Sequence, residues 1–309
     1  MDLQRTLARS VELQGNGLHT GATARLRLLP AEAGSGLVFL RREDRAVLPA
    51  SWQLLQGGSL STTLSRGDAR IMTVEHLLSA LHGLGVDNAR VELDGPEVPI
   101  LDGSALPFVE AILEAGTRAL DVPRRYLSLN RPVRIKEGEK EILALPANDL
   151  RATYAIEFPH PAIGYQALET GVEAASYAAA IAPARTFCLM RDVAAMRRAG
   201  LARGGSLDNA VVVGDDGVLN GALRFPDEFV RHKVLDLIGD LALLGAPLRA
   251  HVIAFKGGHR LHAALVRRIM SQRASWSIAT SEDRLPAGTL AAYAHLKDAL
   301  VPLQAPLAS

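Results

Sequence analysis

One stretch of the chain constrains the fold more than any other. Between Phe229 and Asp240 the sequence reads FVRHKVLDLIGD, in which apolar residues recur at spacings of three and four. This spacing is typical of an amphipathic helix and predicts that one side of the helix faces a hydrophobic core. The opposite side of the predicted helix carries His232, Lys233, Asp236 and Asp240.

Two of these polar residues have the spacing of metal ligands. His232 and Asp236 lie one helical turn apart, so an imidazole nitrogen and a carboxylate oxygen can converge on one cation. The alternative is a solvated pair, because a histidine and an aspartate so spaced on an exposed helix face more often contact water. Asp240 lies one further turn along the helix. Several ionisable groups on one face exceed what solubility needs and favour a functional site.

Length and composition indicate a globular chain of more than one domain. With 309 residues the chain exceeds the usual size of one domain, and its 48% apolar and 22% charged residues are typical of folded proteins. The formal net charge of +1 gives no general electrostatic attraction to nucleic acid or to an anionic membrane. We therefore expect no nucleic-acid partner, while a small acidic molecule can still be held locally.

Cysteine content and the distribution of apolar residues indicate the compartment. The single cysteine, Cys188, excludes an internal disulfide and a cysteine-rich zinc site. The first residues, MDLQRT, lack the apolar core of a signal peptide. Glycine, proline or a charged residue interrupts every long apolar run well before the roughly 18 residues that a membrane-spanning helix needs. The sequence therefore predicts a cytoplasmic protein without a transmembrane segment.

The pattern of strands and helices breaks near residue 125, where we place a domain boundary. Both the N-terminal domain (1–125) and the C-terminal domain (126–309) show strands followed by amphipathic helices, although no sequence repeat demonstrates a duplication. This alternation predicts an α+β fold of two similarly built domains, each with a sheet packed on helices. The end of the chain, 280–309, is rich in alanine, proline and leucine and is expected to be partly loose.

Local signals place individual elements within each domain. The sequence GNG at 15–17 predicts a turn between two strands, and helices are predicted over 73–84, with Thr73 as the N-cap, and over 106–120. In the second domain we expect a strand over 249–255 and a helix over 262–270.

His76 is the best candidate for a further metal ligand. A catalytic zinc site usually has three protein ligands and leaves one position for water. The apolar residues of the helix TVEHLLSAL form one stripe, and His76 lies on the other side of the helix. The alternative is an ordinary solvated histidine.

Glu75 and His259 are candidates for proton transfer. Glu75 lies next to His76, near enough to contact a metal-bound water as a general base does. Glu75 can instead complement the helix dipole, and both roles can hold together. His259 follows two glycines directly after a predicted strand, where a loop side chain can be presented to a site. A loop histidine is also commonly inert.

Seven ordered motifs resemble one known family, the UDP-3-O-acyl-N-acetylglucosamine deacetylases, which are zinc amidases of lipid A biosynthesis. The resemblance extends from about Gln4 to Ser281. The motifs are GNGLHTG (15–21), TVEHLLSAL (73–81), LDGSA (101–105), ARTF (184–187), GGSLDN (204–209), EFVRHKVLD (228–236) and KGGH (256–259).

The resemblance implies a metal site in a cleft between the two domains. It places Zn²⁺ on His76, His232 and Asp236. Since a His₂Asp set does not select strongly between the two metals, Fe²⁺ is the alternative in the cell.

The resemblance also implies roles for the residues around the metal. Glu75 matches the general base, and His259 matches a second acid–base group that pairs with Asp240. Thr186 matches a donor to the oxyanion of the tetrahedral intermediate.

Substrate-binding residues are implied in the same way. Lys233 and His19 resemble residues near the sugar-diphosphate part of the substrate, and the pair Glu157 and Phe158 matches residues near the uridine base. Phe187 matches a residue that lines the site.

A hydrophobic passage for the acyl chain is implied for the segment 200–213, which includes Leu201 and Leu207. Two positions depart from the family pattern. Cys188 stands where many relatives have glycine, and Arg203 adds a charge to the segment. Both departures bear on the acyl-chain preference and leave the chemistry unchanged.

The expected activity is hydrolysis of the N-acetyl group of UDP-3-O-acyl-N-acetylglucosamine by a monomeric enzyme, with release of acetate. One alternative is another zinc amidase or esterase on the same scaffold. A second is a non-catalytic UDP-sugar-binding protein, against which Glu75 argues, because a binding protein has no need of a general base beside a metal.

Overall fold

The first part of the chain is rich in strands. The computed structural model describes residues 1–56, 58, 60–289 and 292–293, so His295 and most of the segment expected to be loose lie outside it. In chain order the elements are β1 (Leu3–Leu7), β2 (Val11–Asn16), β3 (Thr23–Pro30), β4 (Leu37–Arg41), β5 (Val47–Pro49), β6 (Leu55–Gln56), β7 (Thr63–Arg66), β8 (Ala69–Ile71), α1 (Glu75–Gly83), β9 (Ala89–Leu93), α2 (Leu106–Ala115) and β10 (Thr117–Pro123).

The second part contains longer strands and further helices. Short 3₁₀ helices occur at Ala242–Leu244 and Arg273–Ser275. The other elements are β11 (Tyr126–Leu129), β12 (Val133–Glu137), β13 (Lys140–Pro146), β14 (Arg151–Glu157), β15 (Tyr165–Gly171), α3 (Ala174–Ala180), β16 (Phe187–Leu189), α4 (Met190–Arg198), β17 (Val211–Gly214), β18 (Gly217–Val218), α5 (Glu228–Leu241), β19 (Leu248–Phe255), α6 (His259–Ser271) and β20 (Trp276–Ala279).

Each half of the chain has one large sheet. In the first half the strand order is β2-β3-β9-β4-β5, in which only β4 and β9 pair in parallel. In the second half the order is β12-β13-β19-β11-β20, and β14 pairs with both β15 and β19. Two smaller sheets have three strands each, in the orders β6-β7-β8 and β16-β17-β18. A further sheet consists of β1 and β10 alone. The prediction of a two-domain α+β fold is therefore confirmed.

Helices α1, α2, α5 and α6 lie between the two large sheets. Helix α2 packs on β2 of the first sheet and on α1, whereas α5 and α6 pack on strands of the second sheet. The closest helix pair is α1 with α5, so one helix from each half meets at the centre of the molecule. The predicted boundary at residue 125 falls between β10 and β11 and stays a prediction.

Helix α5 is buried on nearly all sides. Its apolar stripe is inside as expected, with Val234 and Leu237 both fully buried. The polar side, however, does not face solvent, because His232 and Asp236 are each 2% exposed. The solvated alternative for this pair is therefore wrong. Burial of ionisable groups is costly without partners, so the polar side of α5 must be satisfied by other groups inside the protein.

Three predicted boundaries differ from the structure. Thr73 is not the N-cap, since α1 begins at Glu75 and the Thr73 hydroxyl donates to the Glu97 carboxylate (2.6 Å). The helix predicted to reach residue 120 ends at Ala115, because Gly116 has a positive φ of 67° and the following residues pair with β1. The GNG sequence at 15–17 is not the turn itself, since its first two residues belong to β2.

The described residues include no helix with the combination of length and hydropathy required to cross a bilayer.

Candidate active site

Three predicted metal ligands meet where α1 packs on α5. The Nε2 atoms of His76 and His232 lie 3.7 and 3.3 Å from Asp236 Oδ1, and the three ligand atoms fall within 4.8 Å of one another. His76 is 3% exposed, so the solvated alternative for it is wrong as well. Two helices from different halves of the chain thus contribute to one group of donors.

The donor atoms of this group fit a divalent cation. Asp236 Oδ1 is buried and has no hydrogen-bond partner within the described structure, which is costly unless an ion occupies the space beside it. His232 Nδ1 lies 3.0 Å from the Ala184 carbonyl oxygen, to which it donates, so that Nε2 is left free as a ligand. Two imidazoles and one carboxylate are a donor set typical of catalytic zinc.

The electrostatics keep these ligands in the form that binds a metal. Burial lowers the pKa of His76 to about 3 and also lowers the pKa of His232, so both rings are neutral near pH 7. Burial opposes ionisation of Asp236, but neighbouring positive charge, including Lys233 Nζ at 2.8 Å from Oδ2, holds the pKa of Asp236 well below its usual value.

Glu75 and His259 face each other beside the three ligands. His259 Nε2 lies 3.7 Å from Glu75 Oε1 and 3.7 Å from Asp236 Oδ2. Burial raises the pKa of Glu75 to about 8. Burial disfavours the charged form of His259, but the carboxylates of Asp240, Asp236 and Glu75 raise its pKa to about 10. The site therefore combines a carboxylate that readily takes up a proton with a charged imidazole that can release one.

His259 is held by a chain of buried groups. Its Nδ1 lies 2.9 Å from Asp240 Oδ2, the pairing that the sequence resemblance implies. Asp240 Oδ2 also accepts from His262 Nδ1 (2.8 Å), and His262 Nε2 lies 2.9 Å from the Tyr154 hydroxyl. His259 is the first residue of α6 and is 6% exposed, so it is not an exposed loop residue.

The sequence analysis missed His262 and Thr62. The ring of His262 is fully buried, and its partner Tyr154 is 108 residues away in the chain. Thr62 joins Glu75 and Asp240, as described below. No helical spacing connects either residue to the site, and only the fold brings them there.

A second group of possible metal donors consists of Asp240, His259 and His262. Its donors are already engaged, because Asp240 Oδ2 accepts from both rings and Asp240 Oδ1 accepts from the Thr62 hydroxyl. The group containing Asp236 is the better cation site, since its buried carboxylate oxygen is left without a partner.

An apolar cavity of about 310 Å³ opens beside the site. Thr186 and Phe187 line it at the end near the metal ligands, where the Phe187 ring centroid lies 6.4 Å from that of His232. Leu207 lines the cavity as expected and is 52% exposed. Leu201, in contrast to the prediction, does not line the cavity, and its main-chain N–H donates to the Met196 carbonyl oxygen (2.9 Å) at the end of α4.

Helix α4 supplies a cavity wall that the sequence analysis did not assign. Met190, Val193 and Met196 lie on one face of this helix and line the cavity. Cys188 lines it too. Larger cavities of about 440 and 910 Å³ both include Arg124 in their walls and none of the site residues.

Two of the expected substrate-binding residues, Lys233 and Phe158, pack against Phe187 in the wall of this cavity. Lys233 Nζ lies 5.4 Å from the Phe187 ring centroid, and the Phe158 ring packs edge-on against Phe187 at 5.6 Å. Glu157 is farther out, where its carboxylate pairs with Lys256 Nζ (2.6 Å).

His19 lines the cavity as a buried, neutral histidine. Both ring nitrogens lack a hydrogen-bond partner among the described residues, and burial lowers the pKa of this histidine. Its main-chain N–H donates to Glu97 Oε1 (2.9 Å). Two buried ring nitrogens without partners are available to polar atoms of a ligand.

Comparison with known proteins agrees with this geometry. The family model described as UDP-3-O-acyl N-acetylglycosamine deacetylase matches residues 4–271. A protein of Anaeromyxobacter sp. (strain Fw109-5) is 49% identical over 269 residues, covering 87% of this chain and 88% of its own length. A protein of Myxococcus xanthus (strain DK1622) is 46% identical over 300 residues, covering 96% of both chains. Both relatives are named UDP-3-O-acyl-N-acetylglucosamine deacetylase.

The chain belongs to this family. The resemblance that seven short motifs predicted is therefore confirmed over nearly the whole sequence. Relatives of the UDP-3-O-acyl-N-acetylglucosamine deacetylase family are named as deacetylases, which hydrolyse an amide bond, so the prediction of an enzyme of this class is confirmed. His76, His232 and Asp236 form a group that could hold the metal ion of such an enzyme.

Proposed function

We propose that this chain hydrolyses the N-acetyl group of UDP-3-O-acyl-N-acetylglucosamine, giving the free amine and acetate. The observation that carries the proposal is the buried pair of Glu75 and His259, whose Oε1 and Nε2 atoms lie 3.7 Å apart beside three metal-ligand side chains. A base and an acid this close can serve the attacking water and the leaving nitrogen, because both become attached to the same carbon in the tetrahedral intermediate.

His76, His232 and Asp236 would hold the metal, which we propose to be zinc, with iron(II) as the alternative. When bound there, the metal supplies Lewis acidity, which polarises the amide carbonyl and lowers the pKa of water.

Glu75 and His259 carry the two proton transfers. Glu75 removes a proton from the attacking water while the water oxygen bonds to the acetyl carbon. His259 then donates a proton to the sugar nitrogen as the carbon–nitrogen bond breaks, so that the amine leaves neutral and acetic acid forms, which ionises to acetate in solution. Transfer of the proton held by Glu75 to His259 restores both side chains. Asp240 favours the charged form of His259, and Thr186 is the proposed donor to the oxyanion.

The surrounding side chains suit an acylated sugar nucleotide. Lys233 and His19 are the proposed contacts for the negatively charged diphosphate and the sugar hydroxyls. Phe158, with Glu157 beside it, offers an aromatic face for a base. The cavity lined by Phe187 and Leu207 is apolar and takes the acyl chain.

Further expectations stay proposals. We infer a monomer, and a domain boundary at about residue 125. A cytoplasmic location is supported by the single cysteine, since secreted proteins commonly contain paired cysteines. A non-catalytic sugar-binding protein is less favoured, because binding alone does not require a buried carboxylate beside the metal-ligand side chains.

The deciding experiment measures acetate release from the acylated UDP-sugar together with the metal content of the purified protein. Glu75→Gln is the matched control, because it keeps the side-chain size and all three ligands. We expect this variant to retain metal while its rate falls by roughly 10²–10⁴. Wild-type protein that holds metal but releases no acetate would overturn the proposed substrate, and full activity in Glu75→Gln would remove the general-base role.

A further inference from the structure

Thr62 connects α1, which carries Glu75, to α5, which carries Asp240, the hydrogen-bond partner of His259. It is 2% exposed and directly precedes β7. Its main-chain N–H donates to Glu75 Oε2 (3.0 Å), and its carbonyl oxygen accepts from Val74 N–H (3.3 Å). The main chain of Thr62 is thereby tied from both sides to the start of α1, where Glu75 is the first residue.

The hydroxyl of Thr62 reaches the other helix. It donates to Asp240 Oδ1 on α5 and lies 3.2 Å from His259 Nδ1. A hydroxyl that gives its proton to one acceptor keeps lone pairs for another donor. Oγ1 can therefore accept a share of the Nδ1–H bond that His259 makes to Asp240 Oδ2 at 2.9 Å.

These contacts fix the orientation of the imidazole. With Nδ1 directed at two oxygens, those of Asp240 and Thr62, the ring presents Nε2 toward Glu75 Oε1 at 3.7 Å. Asp240 alone cannot set the distance between Glu75 and His259. It makes a hydrogen bond to His259, but among the described residues it makes none to Glu75. Thr62 is bonded to both.

We propose that Thr62 is a positioning residue that sets the distance between Glu75 and His259. This inference rests on the proposed deacetylase function. Within the described part of the chain Thr62 makes no hydrogen bond to His76, His232 or Asp236, so its effect on the reaction is separable from metal binding. Loss of the hydroxyl leaves the Glu75 contact intact, because that contact uses the main-chain N–H.

The test compares three variants in the metal-loaded enzyme. Thr62→Val removes the hydroxyl and keeps the shape, Thr62→Ser keeps the hydroxyl, and Thr63→Val makes the same chemical change one residue along, at a half-buried position. We expect Thr62→Val to lower kcat by roughly ten- to a hundredfold, the effect of losing one hydrogen bond to a charged group. KM and metal content should stay within about twofold of wild type.

For Thr62→Ser and Thr63→Val we expect a kcat within about threefold of wild type. Thr62→Ser should restore the activity that Thr62→Val loses, because serine keeps the hydroxyl. A residue that acts only on stability would instead lower the fraction of folded enzyme and leave kcat per folded molecule unchanged. Equal kcat for Thr62→Val and Thr63→Val would overturn the proposal.

A second measurement does not depend on catalysis. Nitrogen NMR of the metal-free protein with labelled histidine reports the Nδ1–H bond of His259, identified by its loss in His259→Gln. We expect the proton signal to shift in Thr62→Val and to return in Thr62→Ser. An unchanged signal removes the positioning role even if the deacetylase function holds. Absence of wild-type acetate release combined with the expected shift would instead reject the proposed function alone.

Discussion

A Cβ atom on Gly239 would lie 2.0 Å from the main-chain oxygen of Glu75. Because atoms do not approach so closely, only glycine at this position allows α5 to lie directly against α1. Helix α1 carries His76, whereas α5 carries His232 and Asp236. The contact at Gly239 therefore sets the separation of the metal ligands.

Gly239→Ala is expected to push α5 away from α1. Overpacking of this kind costs about 1–3 kcal/mol of stability, and a helix shift of even a few tenths of an ångström separates the ligands. We expect a lower midpoint of thermal unfolding and weaker zinc binding. Gly171→Ala is the control, because an added Cβ there meets nothing within 4 Å. Unchanged zinc affinity in Gly239→Ala would mean that the helix contact does not govern the site.

His232→Ala should remove most of the bound metal while the fold persists. Two ligands bind a catalytic metal far more weakly than three, and the two cores do not depend on the ion. Elemental analysis of the purified variant measures the metal-to-protein ratio, and circular dichroism checks the fold. His82→Gln, on the same helix as His76, is the control and should keep wild-type stoichiometry. Stoichiometric zinc of unchanged affinity in His232→Ala would show that the ligands are misassigned.

The sequence allowed the ligands to be found because helical spacing is local. His232 and Asp236 are one turn apart, and the period of α5 places both on one side. Burial of that side was not predictable from α5 alone, since it results from α1, which comes from the other half of the chain.

Site residues that only the folded structure brings together could not be predicted from the sequence. Thr62 is separated by 178 residues from Asp240 and by 197 from His259, and no periodicity spans such distances. The turn before α1 was also misread. Threonine is a residue type that N-caps favour, but the φ of 57° at Thr73 and the hydrogen bond of its hydroxyl to Glu97 place Thr73 outside the helix.

The pH dependence of the rate should report the charge on His259. A general acid must begin protonated. Burial lowers the pKa of His259, but nearby carboxylates outweigh this effect and raise the pKa to about 10, and Asp240 is the nearest of them. Activity is therefore retained below this pKa and lost as the pH rises through it. Asp240→Asn removes that negative charge, so the alkaline limb of log kcat/KM should move to lower pH. His259→Gln should abolish the limb, and an alkaline limb that stays in place in both variants would assign it to another group.

The cavity beside the site should make activity depend on acyl-chain length. Each methylene removed from water contributes about 0.8 kcal/mol, so kcat/KM should fall roughly tenfold for every two carbons taken from the chain. Val193→Glu introduces a charge on the α4 face that lines the cavity and should flatten this dependence. Ala195→Glu places the same charge on the exposed side of α4 and should leave it unchanged. A flat response in wild type would place the acyl chain in solvent.

Glu97 is a fully buried carboxylate that holds the His19 loop against the segment leading into α1. It accepts from the main-chain N–H groups of His19 (2.9 Å) and Thr20 (2.7 Å), and from the hydroxyls of Thr20 (2.7 Å) and Thr73 (2.6 Å). Among the described residues no lysine or arginine pairs with it, so these donors alone compensate its burial.

Glu97→Gln turns one acceptor oxygen into an NH₂ group that faces those donors. An unsatisfied buried group costs about 1–3 kcal/mol, so the variant should unfold at lower denaturant concentration. Because His19 lines the substrate cavity, we also expect a raised KM, measured with folded protein well below its unfolding midpoint. Glu92→Gln, at a carboxylate that pairs with Arg90 and Arg27 on the sheet, is the control for loss of charge. If both variants give the wild-type KM, the loop does not need Glu97 to present His19.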